Sequence, residues 1–341
     1  MQKVTVGING FGRIGRQAFK IALEKPELEV VGINDLTSTE ALAHLLKYDS
    51  NYGRFNRDIS FDENHIIVDG KKYPVSAEKE PANLPWAKLG AQVVIESTGR
   101  FTDTEKASAH LAAGAKRVII SAPAKDEGIT KTFVLGVNED RYAGESIVSN
   151  ASCTTNCIAP VAAVMHGAFG IEKAMMTTIH SYTAEQNLVD GPPPGGHATD
   201  MRRARAAAIN MVPTTTGAAV SATQAIPELK GLFDGLSIRV PTPVGSLSDF
   251  TMLLKKNVTV EEVNNAFIKA SQNPVYKGIL VVTNEQLVSS DIVGNPASAI
   301  VDLSLTKVTD GNFVKVIAWY DNEFGYSNRL VEQVLLIGKT I

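Results

Sequence analysis

Apolar runs of strand length recur through the first 150 residues, at 3–8 (KVTVGI), 28–33 (LEVVGI), 92–95, 117–121 and 146–149. Stretches of helical period lie between several of them, including 13–24 and 102–113. The second stretch opens with Thr102-Asp-Thr-Glu105, a capping-box pattern, and ends at Gly114, a residue suited to the C′ position. Continuous apolar strands separated by helices predict a doubly wound parallel sheet covered on both faces, an α/β arrangement. Beyond residue 152 the pattern changes. A helical stretch at 153–169 leads into long strand-like segments at 172–183, 235–243, 247–255, 279–283, 299–306 and 313–320. Few helices intervene; one, near 259–271, starts with the capping box Thr259-Val-Glu-Glu262. This half reads as an α+β domain with a mainly antiparallel sheet. The domains expected are therefore 1–152 and 153–320, with a C-terminal helical segment, 321–341, packing back on the first.

Composition narrows the picture. The chain has 341 residues, 44% hydrophobic and 20% charged, enough for two domains with sizeable cores. Its formal net charge is −3 and its lysines and arginines are dispersed, so nothing favours a nucleic-acid partner. No apolar run approaches the ~18 residues that span a bilayer, and no membrane partner is expected. The opening MQKVTVGING enters a strand pattern directly, without the basic and apolar regions of a secretory leader. Two cysteines cannot form a disulfide framework, so the cytoplasm is the expected location.

The first strand runs into Gly10-x-Gly12-x-x-Gly15 at a strand-to-helix junction. Such a turn needs one glycine for tightness, one for backbone approach to a pyrophosphate, and one for helix–strand contact. The helix N-terminus then offers free donors and positive dipole to the anion. A second strand ends in Asn34-Asp35, placing an acid about 20 residues past the last glycine, where it meets a ribose 2′-hydroxyl. A carboxylate there repels a 2′-phosphate, which favours NAD over NADP. Alone, the glycines would also fit a plain turn and Asp35 a loop acid. Together they indicate a Rossmann-type domain binding NAD.

Both cysteines fall in one stretch, SNASCTTNC, at 153 and 157. No further Cys or His follows at metal-ligand spacing, so no metal is expected. A disulfide between positions i and i+4 of one helix suits neither geometry nor compartment. Two inert buried thiols stay open as a reading. The alternative makes the pair unequal. Cys153 sits at a helix start capped by Ser152, where a thiolate is stabilised and a cysteine pKa can fall to about 3.5–7.5. Cys157, one turn further in, lacks that field. A nucleophilic cysteine needs a base. Of the six histidines, His44 and His110 lie in helical patterns that suggest solvated or capping roles, while His180 ends a strand-like run among hydroxyls.

INGFGRIGR, ESTGRF, SNASCTTNC, TTIHSYT, RRARAAA, VPTTTGAA, RVPTPVGS and WYDNEFGYS occur in an order that closely resembles glyceraldehyde-3-phosphate dehydrogenases, over essentially the whole chain. The resemblance implies that Cys153 attacks the aldehyde of glyceraldehyde 3-phosphate. His180 would take the hydroxyl proton as hydride leaves for NAD, and inorganic phosphate would then release the thioester as 1,3-bisphosphoglycerate. The Cys153 amide and His180 would be the oxyanion donors. Thr183 and Arg239 match the site for the substrate phosphate. Ser152, Thr216 and Gly217, with Arg205 nearby, match the site for the attacking phosphate, and Thr154 joins the substrate and phosphate residues as a group. Gly10, Phe11, Gly12, Arg13, Ile14, Gly15 and Asp35 match the cofactor turn and ribose positions, Thr98 and Gly99 the strand end beside the cofactor, and Asn322 the residue that fixes the nicotinamide amide. A cytoplasmic homotetramer is implied as well.

Two departures stand out. Ala184-Glu185-Gln186 replaces the family's frequent Asn-Asp-Gln, lengthening the acid near the substrate phosphate by one methylene. The loop 190–202, through GPPPGGHATDM, is several residues longer than usual. The runner-up activity is erythrose-4-phosphate dehydrogenase, though HSYTAEQ and PTTTGAA fit the triose enzyme better. A nucleotide-sensing or adhesive protein without activity would have no reason to keep Cys153, His180, both arginines and Asn322 together.

Overall fold

A computed structural model describes residues 3–126, 128–193 and 200–341. Part of the 190–202 loop, with His197, therefore lies outside the described residues. The chain divides into two compact units: Met1–Phe133, Asp140–Ala151 and Ser327–Ile341 in one, Val134–Glu139 and Ser152–Tyr326 in the other.

The first unit is built on a nine-stranded sheet. From one edge its strands are Lys131–Thr132, Ile147–Ser149, Arg117–Ile120, Val93–Glu96, Val4–Asn9, Leu28–Asn34, Lys71–Ser76, His65–Val68 and Ile59–Asp62. The first seven are parallel and almost wholly buried near the centre, which is why they read as continuous apolar runs. The antiparallel edge, 59–76, was invisible to that pattern because its strands are short, partly exposed and interrupted by charge. Strand order reverses direction at Val4–Asn9, with Leu28–Asn34 on one side and Val93–Glu96 on the other. A crevice opens at the carboxyl ends of such strands.

Helix starts follow local hydrogen bonding. Asp103, not Thr102, caps the Thr104–Ala112 helix, its Oδ1 accepting from Lys106 N at 2.8 Å. Thr102 is buried instead. Gly114 follows the helix with φ +106, a conformation that favours glycine. The last helix, Phe324–Gly338, begins where Asp321 Oδ1 accepts from Glu323 N (2.9 Å) and Phe324 N (2.7 Å). At its far end a Cβ on Gly338 would sit 2.4 Å from Val4 Cγ1, so only glycine lets this helix approach the first strand.

The second unit carries an eight-stranded sheet in the order Val212–Thr214, Phe233–Val240, Ile171–Ser181, Ser246–Leu254, Phe313–Tyr320, Ala299–Asp302 and Leu280–Thr283, with Lys307–Thr309 beside Phe313–Tyr320. It is mainly antiparallel; two neighbouring pairs, Ile171–Ser181 with Phe233–Val240 and Leu280–Thr283 with Ala299–Asp302, are parallel. The strand expected at 299–306 stops at Asp302, whose Oδ1 caps the following turn. The Val260–Ser271 helix has both halves of its capping box. The helix Ala218–Ala225 gave no periodic signal because its buried face is alanine and serine.

Candidate active site

In the first unit a cleft of about 520 Å³ lies over the carboxyl ends of the central strands, lined by Gly10, Gly12, Asp35, Glu78, Thr98 and Phe101 among others. Gly10 has φ +93, and a Cβ there would meet the Ser97 carbonyl carbon at 2.8 Å. A Cβ on Gly15 would fall 2.0 Å from the Gly10 carbonyl oxygen, whereas one on Gly12 would meet nothing within 4 Å. Two glycines thus permit the tight turn, and the third leaves backbone open to the cleft. Asp35 Oδ2 accepts from Phe11 N at 2.8 Å and Oδ1 from Thr37 N at 3.0 Å, which ties the ribose-position acid to the glycine turn. Phe11 contributes backbone only, its ring being buried edge-on against Phe19. The Arg13 side chain turns to Asp49 at 2.5 Å and lies over Tyr52, leaving its main chain to the turn. Ile14 is half-buried, and Gly99, with φ +72, follows Thr98 on the cleft wall.

In the second unit Cys153 begins the helix Cys153–Phe169, capped by Ser152 Oγ, which accepts from Thr155 N at 3.0 Å. Its Sγ is 3.4 Å from Nε2 of His180, near the end of the Ile171–Ser181 strand. His180 Nδ1 lies 2.7 Å from the Ser181 carbonyl oxygen, which only accepts, so Nδ1 carries the proton. Nε2 therefore presents its lone pair to the thiol. Arg239 Nη1, 3.4 Å from Nδ1, donates instead to the same carbonyl (3.3 Å) and to Thr183 Oγ1 (3.2 Å). Tyr320 packs its ring edge against His180 and bridges Thr154 Oγ1 (2.9 Å) and Thr178 Oγ1 (2.8 Å).

The protonation picture differs from the expected resting thiolate. Burial pushes the Cys153 thiol up, and the opposing pull of Arg239 does not overcome it. Burial, reinforced by Arg239, brings His180 down to about 3. Desolvation disfavours both charged forms more than the helix end favours one, and the resting pair is a neutral thiol facing a neutral imidazole. Cys157 is fully buried, with its Sγ 3.9 Å from the Ala318 carbonyl, and burial pushes its thiol up.

The description "Glyceraldehyde 3-phosphate dehydrogenase, NAD binding domain" matches residues 4–104, and that of the C-terminal domain matches residues 152–322. The chain belongs to this family. It is 52% identical to the glyceraldehyde-3-phosphate dehydrogenase of Streptomyces coelicolor over 341 residues, covering 99% of each chain. Against that of Geobacillus stearothermophilus it is 54% identical over 331 residues, 96% of each, and against glyceraldehyde-3-phosphate dehydrogenase 1 of Bacillus subtilis 53% over 338 residues, 98% of each. Residues 4–104, all in the first unit, are thus matched by the family's NAD-binding domain, and NAD is the cofactor. The open backbone at Gly12 and the carboxylate at Asp35 fit that group.

The other family positions separate into clustered and peripheral residues. Arg239 donates to Thr183 Oγ1 and shares the Ser181 carbonyl with His180, and among the described residues its buried Nε has no partner, a donor suited to an incoming anion. Thr155 Oγ1 links Ser152 Oγ (2.8 Å) to the Ala218 carbonyl (3.3 Å), so the starts of helices Cys153–Phe169 and Ala218–Ala225 lie together. Thr216 and Gly217 precede the second of these, and Thr216 Oγ1 accepts from Ala218 N at 3.2 Å. The Thr154 hydroxyl is engaged by Tyr320 and buried.

Arg205 is exposed and its Nε is on Asp190 at 2.7 Å. The buried arginine of RRARAAA is Arg203, on Glu185 (2.6 Å) and Asp200 (3.1 Å), near enough to influence Arg239. Spacing alone could not choose between the arginines. Asn322 Oδ1 accepts from Gly245 N (3.1 Å) and Ser246 Oγ (2.9 Å), which leaves its NH₂ as the donating end. His110, read as a solvated or capping residue, is instead fully buried. Its partners Trp86 and Glu96 are far away in sequence, so helical position gave no hint of them. No described helix is long and apolar enough to cross a membrane.

Proposed function

We propose that the chain oxidises D-glyceraldehyde 3-phosphate with NAD and inorganic phosphate to 1,3-bisphosphoglycerate, a glycolytic reaction, with residues 1–152 serving the cofactor and 153–320 the substrate. The observation that carries the mechanism is the 3.4 Å approach of Cys153 Sγ to an unprotonated His180 Nε2. The thiol proton passes to Nε2 as sulfur bonds to the aldehyde carbon, and returns to the former carbonyl oxygen to give a thiohemiacetal. Nε2 then takes that hydroxyl proton while hydride leaves the carbon, and a thioester remains. NAD, when bound, is the hydride acceptor. A phosphate oxygen attacks the thioester carbon, the carbon–sulfur bond breaks, and sulfur recovers its proton from Nε2. Burial holds the resting imidazole down at about 3, so it is neutral at pH 7 with the Nε2 lone pair free before the thiol is deprotonated.

Arg239 and Thr183 are assigned to the substrate phosphate; their direct bond and the unpartnered Nε support this. Ser152, Thr216 and Gly217, at two adjoining helix starts, are assigned to the attacking phosphate. Burial favours Arg203 over Arg205 as the accompanying cation. The Cys153 N–H and His180 are assigned to the developing oxyanion, and the Asn322 NH₂ to the nicotinamide amide. A cytoplasmic homotetramer completes the reading. The support for assembly is apolar surface uncovered among the described residues: Leu188, Val189, Ile209 and Met211 are 84%, 76%, 81% and 76% exposed.

The test is NADH formation with the triose substrate, with and without inorganic phosphate, beside erythrose 4-phosphate. Phosphate-dependent turnover that favours the triose is expected. A strong preference for erythrose 4-phosphate would overturn the substrate, and turnover indifferent to phosphate would overturn the second half-reaction.

A further inference from the structure

Glu96 ends the Val93–Glu96 strand beneath the cofactor cleft and is 1% exposed. Four donors converge on its carboxylate: Thr98 N (2.8 Å) and Thr98 Oγ1 on one oxygen, Asn9 Nδ2 (2.6 Å) and His110 Nε2 (2.9 Å) on the other. Trp86 fixes the direction of the histidine bond. Its indole N–H lies 3.0 Å from His110 Nδ1 and can only donate, so Nδ1 is bare and Nε2 carries the hydrogen.

The polarity imposed at Glu96 travels onward. Because Asn9 must present its NH₂ to the carboxylate, its Oδ1 faces away and accepts from Asn34 Nδ2 at 2.7 Å. Asn34 in turn holds the Glu78 main chain from both sides, Nδ2 donating to the carbonyl (2.9 Å) and Oδ1 accepting from the N–H (2.9 Å). Asn9, Asn34, Glu78 and Thr98 all line the cleft.

We propose that Glu96 is a positioning residue for cofactor binding, the buried acceptor at the head of this belt, which acts with the Glu78 main chain to set three segments of the cleft wall: the first strand's end, the 78–80 loop and Thr98. It rests on NAD being the cofactor of this unit. An amide in place of the carboxylate cannot be accommodated by rotation. Turned toward Thr98, its NH₂ meets a main-chain N–H. Turned toward Asn9, it demands flips of Asn9 and Asn34 that set the Asn34 NH₂ against the Glu78 N–H, while His110 cannot become an acceptor without opposing Trp86.

The test titrates wild type and Glu96→Gln with NAD and with ADP-ribose by calorimetry, alongside steady-state kinetics. Kd for both ligands should rise about tenfold, as expected for one buried polar group left unsatisfied. KM for NAD should rise more than kcat falls. Wild-type Kd in Glu96→Gln, even with a lowered melting temperature, would show a merely structural role and overturn the proposal. If Glu96→Gln does not fold, Asn34→Ala interrupts the belt downstream; weakened binding of both ligands supports the proposal, and unchanged binding overturns it. A wild-type protein that fails to bind NAD would overturn the cofactor reading instead.

Discussion

At the residue scale, the two cysteines differ by environment more than by position. Cys153 is half-buried with a base at 3.4 Å; Cys157 is sealed in the core. Cys153→Ser should remove dehydrogenase turnover while NAD still binds, and Cys157→Ser should keep most of the rate. Iodoacetamide should label Cys153 selectively, with a rate that climbs with pH past the ordinary thiol value of about 8.5, because the resting group is protonated. Equal loss of activity in both variants, or a labelling rate already flat at pH 6, would contradict these roles. The helix-start position of Cys153, and the deeper place of Cys157, were legible in SNASCTTNC. The protonation of Cys153 was not, since desolvation depends on what the fold piles around the sulfur rather than on the helix start that the letters reveal. The same holds for Arg203 and Arg205, which differ in the sequence by two places and in the structure by burial.

At the scale of elements, the glycine turn carries the sharpest steric demand. Gly15→Ala would drive a Cβ to 2.0 Å from the Gly10 carbonyl, and backbone there cannot yield as a flexible side chain would. NAD affinity should fall by an order of magnitude or more even if the variant folds, from a loss of about 1–3 kcal/mol; calorimetric titration reporting unchanged affinity would show that the turn does not contact the cofactor as argued. Buried parallel strands and capped helices were readable because their signals are local: apolar runs, Thr259 with Glu262, Gly114 after a helix. The 59–76 edge and the Ala218–Ala225 helix were not, one being too exposed to alternate cleanly and the other too alanine-rich to show a period. The Glu96 network escaped for another reason. It joins residues 9, 34, 86, 96 and 110, which no window of sequence contains.

At the scale of the whole molecule, exposed aliphatic side chains cluster in the segment 188–211 of the second unit. If subunits bury that surface, Ile209→Asp combined with Met211→Asp should shift the assembly to a smaller species, read as mass by light scattering after size exclusion. An unchanged tetramer would place the interface elsewhere, and a wild-type monomer would dismiss it. The two sheets were foreseeable as classes, one parallel and one mainly antiparallel, because each class leaves its own hydrophobic rhythm. The two parallel pairs within the second sheet were not, since each joins segments outside any one periodic stretch, Ala174 with Phe233 and Leu280 with Ala299.

Arg239 has two neighbours that matter to each other. It bonds Thr183, on the side assigned to the substrate's phosphate, and it suppresses the basicity of His180. Burial is the larger cause of that suppression, but a dianion settling on the guanidinium would offset the part that comes from Arg239, so on the proposed roles a phosphorylated substrate would raise the basicity of His180. An aldehyde without its phosphate would leave the suppression in force and be turned over slowly even when bound. Selectivity would then be exercised during the reaction as well as at the door.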